Sequence, residues 1–302
     1  MRSLGTASAA PGERDTGRLE VGRDRDGRPV TLPVAVINGQ QAGKTVYIQA
    51  VSDGDELNGL GVVRRVAPQL DPTELSGTVL IVAIANYFAF QANEHRSPVD
   101  NTKLNRTYPG EPEGTSTERI ANATFEAASE ADLVVDLHQG STSRMIEEVR
   151  VRCGRHHSLH EECLELAKVF DCGFVFDQKG PDGQLARAAP DEGIPTIDPE
   201  LGGSVGLDPA SVEAGVDGVF NVLEYYGLLP GRVRTRTQTR STGFDQYAAP
   251  LAAPAALEAD RGSPPIASHT LHLFTAEFAT PLAPVHHVPA WTSGRTRRPS
   301  TV

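Results

Sequence analysis

Thr78-Val79-Leu80-Ile81-Val82-Ala83-Ile84-Ala85 is an unbroken apolar run, rich in β-branched residues, that stops at Asn86. A strand with one wet face alternates polar and apolar residues, so a run without alternation reads as a strand covered on both faces. It is also far shorter than the roughly 18 apolar residues of a membrane helix. Leu133–Leu137 and Thr45–Val51 have the same character, and Phe174–Phe176 and Thr196–Ile197 are shorter candidates. Helical spacing lies between them. Leu57–Leu70 carries Leu60, Val63 and Val66 on one side, and Ser158–Phe170 carries Leu159, Cys163, Leu166 and Val169. Thr117–Ala131, with Thr115 or Ser116 as cap, and Pro209–Tyr226 complete the set. Upstream, Arg18–Val21 and Val30–Ile37 are joined through Asp26-Gly27 as a hairpin. Buried strands alternating with helices predict an α/β fold, a mixed sheet covered by helices on both faces.

Charge and composition narrow the class. Residues 1–230 hold 35 acidic and 20 basic residues, whereas residues 231–302 hold 4 and 8, within a chain of net charge −11. A strongly acidic body repels a phosphate backbone, which excludes a nucleic-acid binder. Three cysteines, Cys153, Cys163 and Cys172, form no CxxC pair, and an odd count suits reduced thiols. Met1–Pro11 is small and polar without the apolar core of a signal peptide, so a cytoplasmic protein with no membrane partner is expected. Eight of the 22 prolines fall after Pro230, which sets a boundary near Gly227–Arg232. The expected organisation is a disordered N-terminus over 1–15, a main domain over 16–228, and a small region over 231–302, β-rich and irregular or partly disordered.

In open α/β sheets ligands bind beyond the carboxyl ends of strands, and three strand ends here are conspicuously polar. Val51-Ser52-Asp53-Gly54-Asp55-Glu56-Leu57-Asn58-Gly59 places Asp53 and Glu56 three apart across a strand-to-helix turn, close enough to share a cation. The plainer reading is an acidic helix start favoured by the macrodipole. Gly54 allows a close backbone approach or an unusual dihedral. Val134-Val135-Asp136-Leu137-His138-Gln139-Gly140 ends an apolar strand on an imidazole, with Asp136 on the same face. A lone histidine there is more often a satisfied polar group, so its weight comes from the acidic pair at another strand end. Pro195-Thr196-Ile197-Asp198-Pro199-Glu200-Leu201-Gly202-Gly203 offers Glu200 as general base or as a loop acid. Between the first two, Asn105-Arg106 offers an amide and a planar fork for a carboxylate, or a surface arginine.

Taken in order, Gly54-Asp55-Glu56-Leu57-Asn58-Gly59, Asn105-Arg106-Thr107-Tyr108-Pro109-Gly110, Asp136-Leu137-His138 and Glu200-Leu201-Gly202-Gly203 resemble the succinylglutamate desuccinylase/aspartoacylase family of zinc-dependent deacylases, related to zinc carboxypeptidases. Each motif is weak alone; four in sequence over about residues 16–228 are specific. The resemblance implies a carboxypeptidase-like catalytic domain with a smaller β-rich domain, and hydrolysis of the amide of an N-acyl amino acid or related small carboxylate. It implies Asp53, Glu56 and His138 as ligands of one divalent metal, Glu200 as the catalytic base, and Asn105 and Arg106 as the grip on a small-molecule carboxylate substrate. The chain departs from the pattern at its first ligand, where the family has His and this sequence has Asp53. A carboxylate in that place makes the site harder in character, so manganese, iron or cobalt stand beside zinc. Two other readings remain: a metallocarboxypeptidase, and a catalytically silent relative that binds metal or ligand.

Overall fold

The structure, a computed structural model, describes residues 1–140, 145–203 and 206–231 and the backbone of 240–242. A long hairpin opens the main sheet, with β3 (Glu13–Arg23) antiparallel to β4 (Pro29–Asn38) around the predicted Asp26-Gly27 turn. β5 (Gln41–Ala50), β6 (Ser76–Val82), β7 (Leu133–Gly140), β8 (Glu148–Val151), β9 (Phe174–Asp177), β10 (Thr196–Gly203) and β11 (Arg240–Thr242) complete nine strands in the order β11-β9-β8-β10-β7-β5-β6-β4-β3. At the centre β6, β5, β7 and β10 run parallel, while β8 lies antiparallel to β10 and β4 antiparallel to β6. The sheet is mixed, as the sequence predicts.

Adjacent residues on the central strands serve opposite cores, the mark of a sheet covered twice. Val46, Ile48, Val135, Leu137 and Ile197 pack on one side with α1 (Asn58–Gln69), α4 (His160–Phe170) and α6 (Pro209–Tyr225). Tyr47, Leu80, Val82 and Val134 pack on the other with α3 (Ser116–Ser129) and α5 (Leu185–Ala188). The cap of α3 is Thr115, whose hydroxyl accepts from Glu118 N while Glu118 Oε2 accepts from Thr115 N. The three cysteines are free and buried. Among the described residues no helix is long and apolar enough to cross a membrane.

One expectation is overturned. The first fifteen residues are ordered, forming β1 (Arg2–Leu4), β2 (Ala7–Ala9) and the start of β3. Their small side chains read as a segment with nothing to bury, but Leu4, Ala7 and Ala9 are buried. Gly17 shows why smallness matters, because a Cβ there would stand 2.4 Å from Ala7 N. The sequence reading also omits β1, β2, β8, α5 and the six-residue α2 (Tyr87–Ala92). The expectation for residues 231–302 lies outside the described residues, apart from Gly231 and the β11 backbone.

Candidate metal and catalytic site

Asp53 and Glu56 follow the carboxyl end of β5, while His138 lies within β7 and Glu200 within β10. At the end of β5 the backbone of Val51 takes φ 58°, a left-handed conformation that a β-branched residue adopts only under constraint. The bend turns the chain away from the strand and into Ser52–Glu56. That segment is pressed onto α2, since a Cβ on Gly54 would fall 2.1 Å from the carbonyl carbon of Ala89. Close approach, then, is what Gly54 provides. Asn86 completes the clamp: its Nδ2 donates to Ser52 O at 3.1 Å and its backbone N to Val51 O at 2.9 Å.

The helix α1 starts against β7. Its first N–H, that of Asn58, donates to Gln139 Oε1 at 2.8 Å, and a Cβ on Gly59 would meet Leu137 Cβ at 2.9 Å. The Asn58 amide donates to Leu201 O at 2.8 Å, and its Oδ1 accepts from Asp208 N at 2.8 Å. Asn58, two residues after Glu56, thereby ties β10 to the start of α6.

His138 is 2% exposed and lies between two carboxylates. Its Nε2 is 2.9 Å from Asp136 Oδ2 and its Nδ1 is 3.1 Å from Glu56 Oε2. Asp136 is itself held by Ser52 Oγ at 3.1 Å and Gln49 Nε2 at 3.3 Å. With Nε2 donating to Asp136, the Nδ1 lone pair faces a carboxylate oxygen, and two acceptors at that distance require a proton or a cation between them. Burial works against a charged imidazole, yet Asp136, Asp198 and Glu56 hold His138 well above its usual range. Glu56 is raised by burial, against the pull of His138. Asn105 is buried, with Nδ2 3.2 Å from His138 Nε2 and Oδ1 accepting from Leu185 N at 3.2 Å.

Glu56 faces a second histidine as well. His95, in the loop after α2, has Nδ1 3.9 Å from Glu56 Oε1 and 3.1 Å from Asp55 Oδ1. Asp53, Glu56 and His95 each offer a ligand atom, all within 4.8 Å of one another. Lys103 Nζ stands 3.0 Å from Asp53 Oδ2 and 2.6 Å from His95 Nε2. Asp53 is 1% exposed, and its Oδ1 has no hydrogen-bond partner. A buried, partnerless carboxylate oxygen beside a histidine and a second carboxylate is a donor set suited to a hard or borderline divalent cation.

Glu200 sits next to His138, the two being register partners across the parallel pair β10–β7. Directly paired residues project from the same face, so both side chains enter one crevice. Arg150 on β8 bonds Glu200 Oε1 through Nη1 and Glu148 Oε1 through Nε at 2.6 Å. Burial, reinforced by Asp198, pushes Glu200 up to about 8 even though Arg150 pulls the other way. Arg106 is exposed, and its guanidinium donates to the carbonyl of the preceding residue, Asn105.

The sequence reading missed His95, Lys103 and Arg150. Arg150 had a signal, because Glu148-Val149-Arg150-Val151-Arg152 alternates with period two. His95 and Lys103 lie in a polar stretch with no periodicity, His95 just after the helix α2 that packs on Gly54.

Comparison with known proteins settles the family. The succinylglutamate desuccinylase/aspartoacylase catalytic domain matches residues 42–226. The chain belongs to this family. A relative within it is the N-α-acetyl-L-2,4-diaminobutyric acid deacetylase of Halomonas elongata, 30% identical over 213 residues, or 68% of this chain and 61% of the relative. The match thus spans less than two thirds of that deacetylase. The product-bound structure of the ectoine utilization protein EutE (DoeB) from Ruegeria pomeroyi superposes with a TM-score of 0.72 at 25% identity, covering 80% of this chain and 76% of that one. A succinylglutamate desuccinylase/aspartoacylase from Rhodobacter sphaeroides gives 0.69 at 26% identity, over 76% and 72%.

Proposed function

We propose that this chain is a metal-dependent deacylase that hydrolyses the amide bond of an N-acyl amino acid or a related small carboxylate in the cytoplasm. The observation that carries the reading is the pairing of Glu200 with His138 across β10–β7, with His138 in turn facing Glu56. Asp53, Glu56 and His138 would hold the ion, with His95 beside Asp53 but engaged by Lys103 and Asp55. A divalent ion in that position, zinc first and manganese, iron or cobalt as alternatives, polarises an amide carbonyl and acidifies a water.

The remaining chemistry belongs to side chains. Asp136 keeps the proton of His138 on Nε2, leaving Nδ1 free to face the ion. Glu200 accepts a proton from the attacking water and returns it to the leaving amine. Arg150 orients the Glu200 carboxylate through its bond to Oε1. Arg106, which follows the buried Asn105 in the chain, binds the substrate carboxylate as a planar fork, and Asn105 sets the inner wall. Of the carboxylates around the crevice, Asp53 faces Lys103, Asp55 faces His95, Asp136 faces His138 and Asp198 faces Arg152, so substrate choice is taken from the relative's chemistry. N-acetylated diamino acids therefore come first in a substrate panel, in line with the Halomonas elongata relative.

The ion pair of Lys103 with Asp53 favours a second reading, a relative that binds ligand without hydrolysis. Elemental analysis of the purified protein, combined with a panel of N-acyl amino acids, separates the two. The proposal expects about one equivalent of metal and hydrolysis of at least one panel member. A metal-loaded protein that hydrolyses none of them would sustain the second reading.

A further inference from the structure

Three observations around Asp53 belong together. The family pattern has a neutral histidine at this position, so Asp53 brings an additional negative charge into a site that is almost wholly buried. Lys103 delivers a compensating positive charge to one oxygen only, Oδ2 at 3.0 Å, and leaves Oδ1 buried and unpartnered. The ammonium is then fixed from behind. Two donors do not face each other at 2.6 Å, so His95 presents its Nε2 lone pair to Lys103 and donates from Nδ1 to Asp55 at 3.1 Å.

The geometry points to Lys103 as a built-in counter-charge that stabilises the buried Asp53 carboxylate while the site is empty and leaves Oδ1 open to a metal, with His95 and Asp55 holding the ammonium in place. The inference rests on the metal site proposed above and deepens it. A divalent ion with His, Glu and His has a net charge of about +1; replacing one His by Asp removes a unit, and Lys103 restores it. Positions 53 and 103 thus form one electrostatic unit. Lys103 is a positioning residue: its side chain is 17% exposed, it touches the carboxylate rather than the reacting atoms, and it has the compact point charge suited to a single oxygen. The other cations of the crevice are engaged elsewhere, Arg150 with Glu200 and Glu148 and Arg152 beside Asp198. Removing Lys103 alone strands a buried carboxylate, whereas removing the carboxylate alone strands a cation beside a metal.

A double-substitution cycle on the full chain tests this, read by thermal unfolding in chelator and by zinc content after dialysis. Lys103→Met should lower the unfolding temperature of the metal-free protein by about 5 °C or more, as expected for a buried charge that loses its partner in a chain of this size. The same protein should hold zinc at least about tenfold more tightly, because a positive charge beside the ion is gone. Asp53→His alone should hold zinc less tightly than the parent. The double variant Asp53→His/Lys103→Met should recover the unfolding temperature to within about 2 °C and retain one zinc. Lys103→Arg should keep the stability and fall short on zinc, since a bulky fork does not fit a single oxygen. Additive effects of the two single substitutions, or a double variant that does not fold, would overturn the inference. Strong coupling in unfolding temperature with no zinc in any variant would instead leave the charge pair standing and overturn the metal-dependent function on which its ligand role rests.

Discussion

The imidazole of His138 and the carboxylate of Glu56 meet with Nδ1 3.1 Å from Oε2, while Asp136 Oδ2 lies 2.9 Å from the opposite ring nitrogen. A carboxylate behind a histidine fixes its tautomer and directs the other lone pair outward. Asp136→Asn keeps the shape of that support and removes its charge. It should weaken metal binding by about 10- to 100-fold, the usual cost of losing such a partner. Competition of the purified variant against a calibrated chelator reads the change directly, and unaltered affinity would separate His138 from the metal.

Glu200 should be catalytic without being a ligand. Glu200→Gln retains the volume and removes the base, so kcat/KM should fall by on the order of 10² to 10⁴. Metal content should stay at the parent's value. Simultaneous loss of metal would move Glu200 into the coordination sphere.

The pH dependence has a definite sign. With Glu200 pushed up to about 8, kcat/KM should rise with pH and level off above that value, since the carboxylate form is the base. Arg150 opposes the rise, so Arg150→Met should move the limb to higher pH. Stability follows the opposite course. In the unfolded chain the glutamate returns to about 4.3. The folded state therefore binds this proton more tightly, and the stabilisation is complete below the unfolded value and lost as pH rises through about 8. Urea midpoints measured from pH 5 to 9 should decline in the parent and flatten in Glu200→Gln.

Gly54→Ala should damage the site through the backbone. Its Cβ would lie 2.1 Å from Ala89 C, a contact with main chain that no rotamer relieves. A cost of about 1–3 kcal/mol is expected from such overpacking, with partial loss of metal as Asp53 is displaced. Thermal unfolding together with elemental analysis checks both effects; a variant as stable as the parent and fully loaded would show that α2 does not position the Asp53 segment.

Arg106 tests the substrate side. If its guanidinium takes the substrate carboxylate, Arg106→Ala should raise KM for carboxylate substrates far more than for neutral amides, with kcat less affected. Equal effects on both substrate types would mark the residue as structural.

Much of this arrangement could be read from the residues because each relevant strand announces itself twice, by an apolar run and by the polar residues that end it. Val134–Leu137 ending in His138 and Thr196–Ile197 leading to Glu200 are of that kind, and their adjacency follows once the sheet is known to be parallel there. Periodicity says nothing about which loops close over a strand end. Asn93-Glu94-His95-Arg96 carries no pattern, and His95 follows the helix α2 that packs on Gly54. The charge on Asp53 is plain in the sequence, but its partner lies 50 residues away on an irregular segment, beyond the reach of any local rule. The same limit explains the N-terminus: Ala7 and Ala9 look too small to hold a segment, yet both are buried, and Ala7 packs directly on Gly17 in the strand beneath.

The central claim is that a metal held by Asp53, Glu56 and His138 is required for amide hydrolysis. It is tested most directly by acyl release from an N-acyl amino acid substrate, identified from the panel, in protein stripped of metal and then reloaded with one equivalent of zinc. The account predicts that stripping lowers the rate at least about 100-fold and that reloading restores it. Equal rates in the stripped and reloaded protein would contradict it.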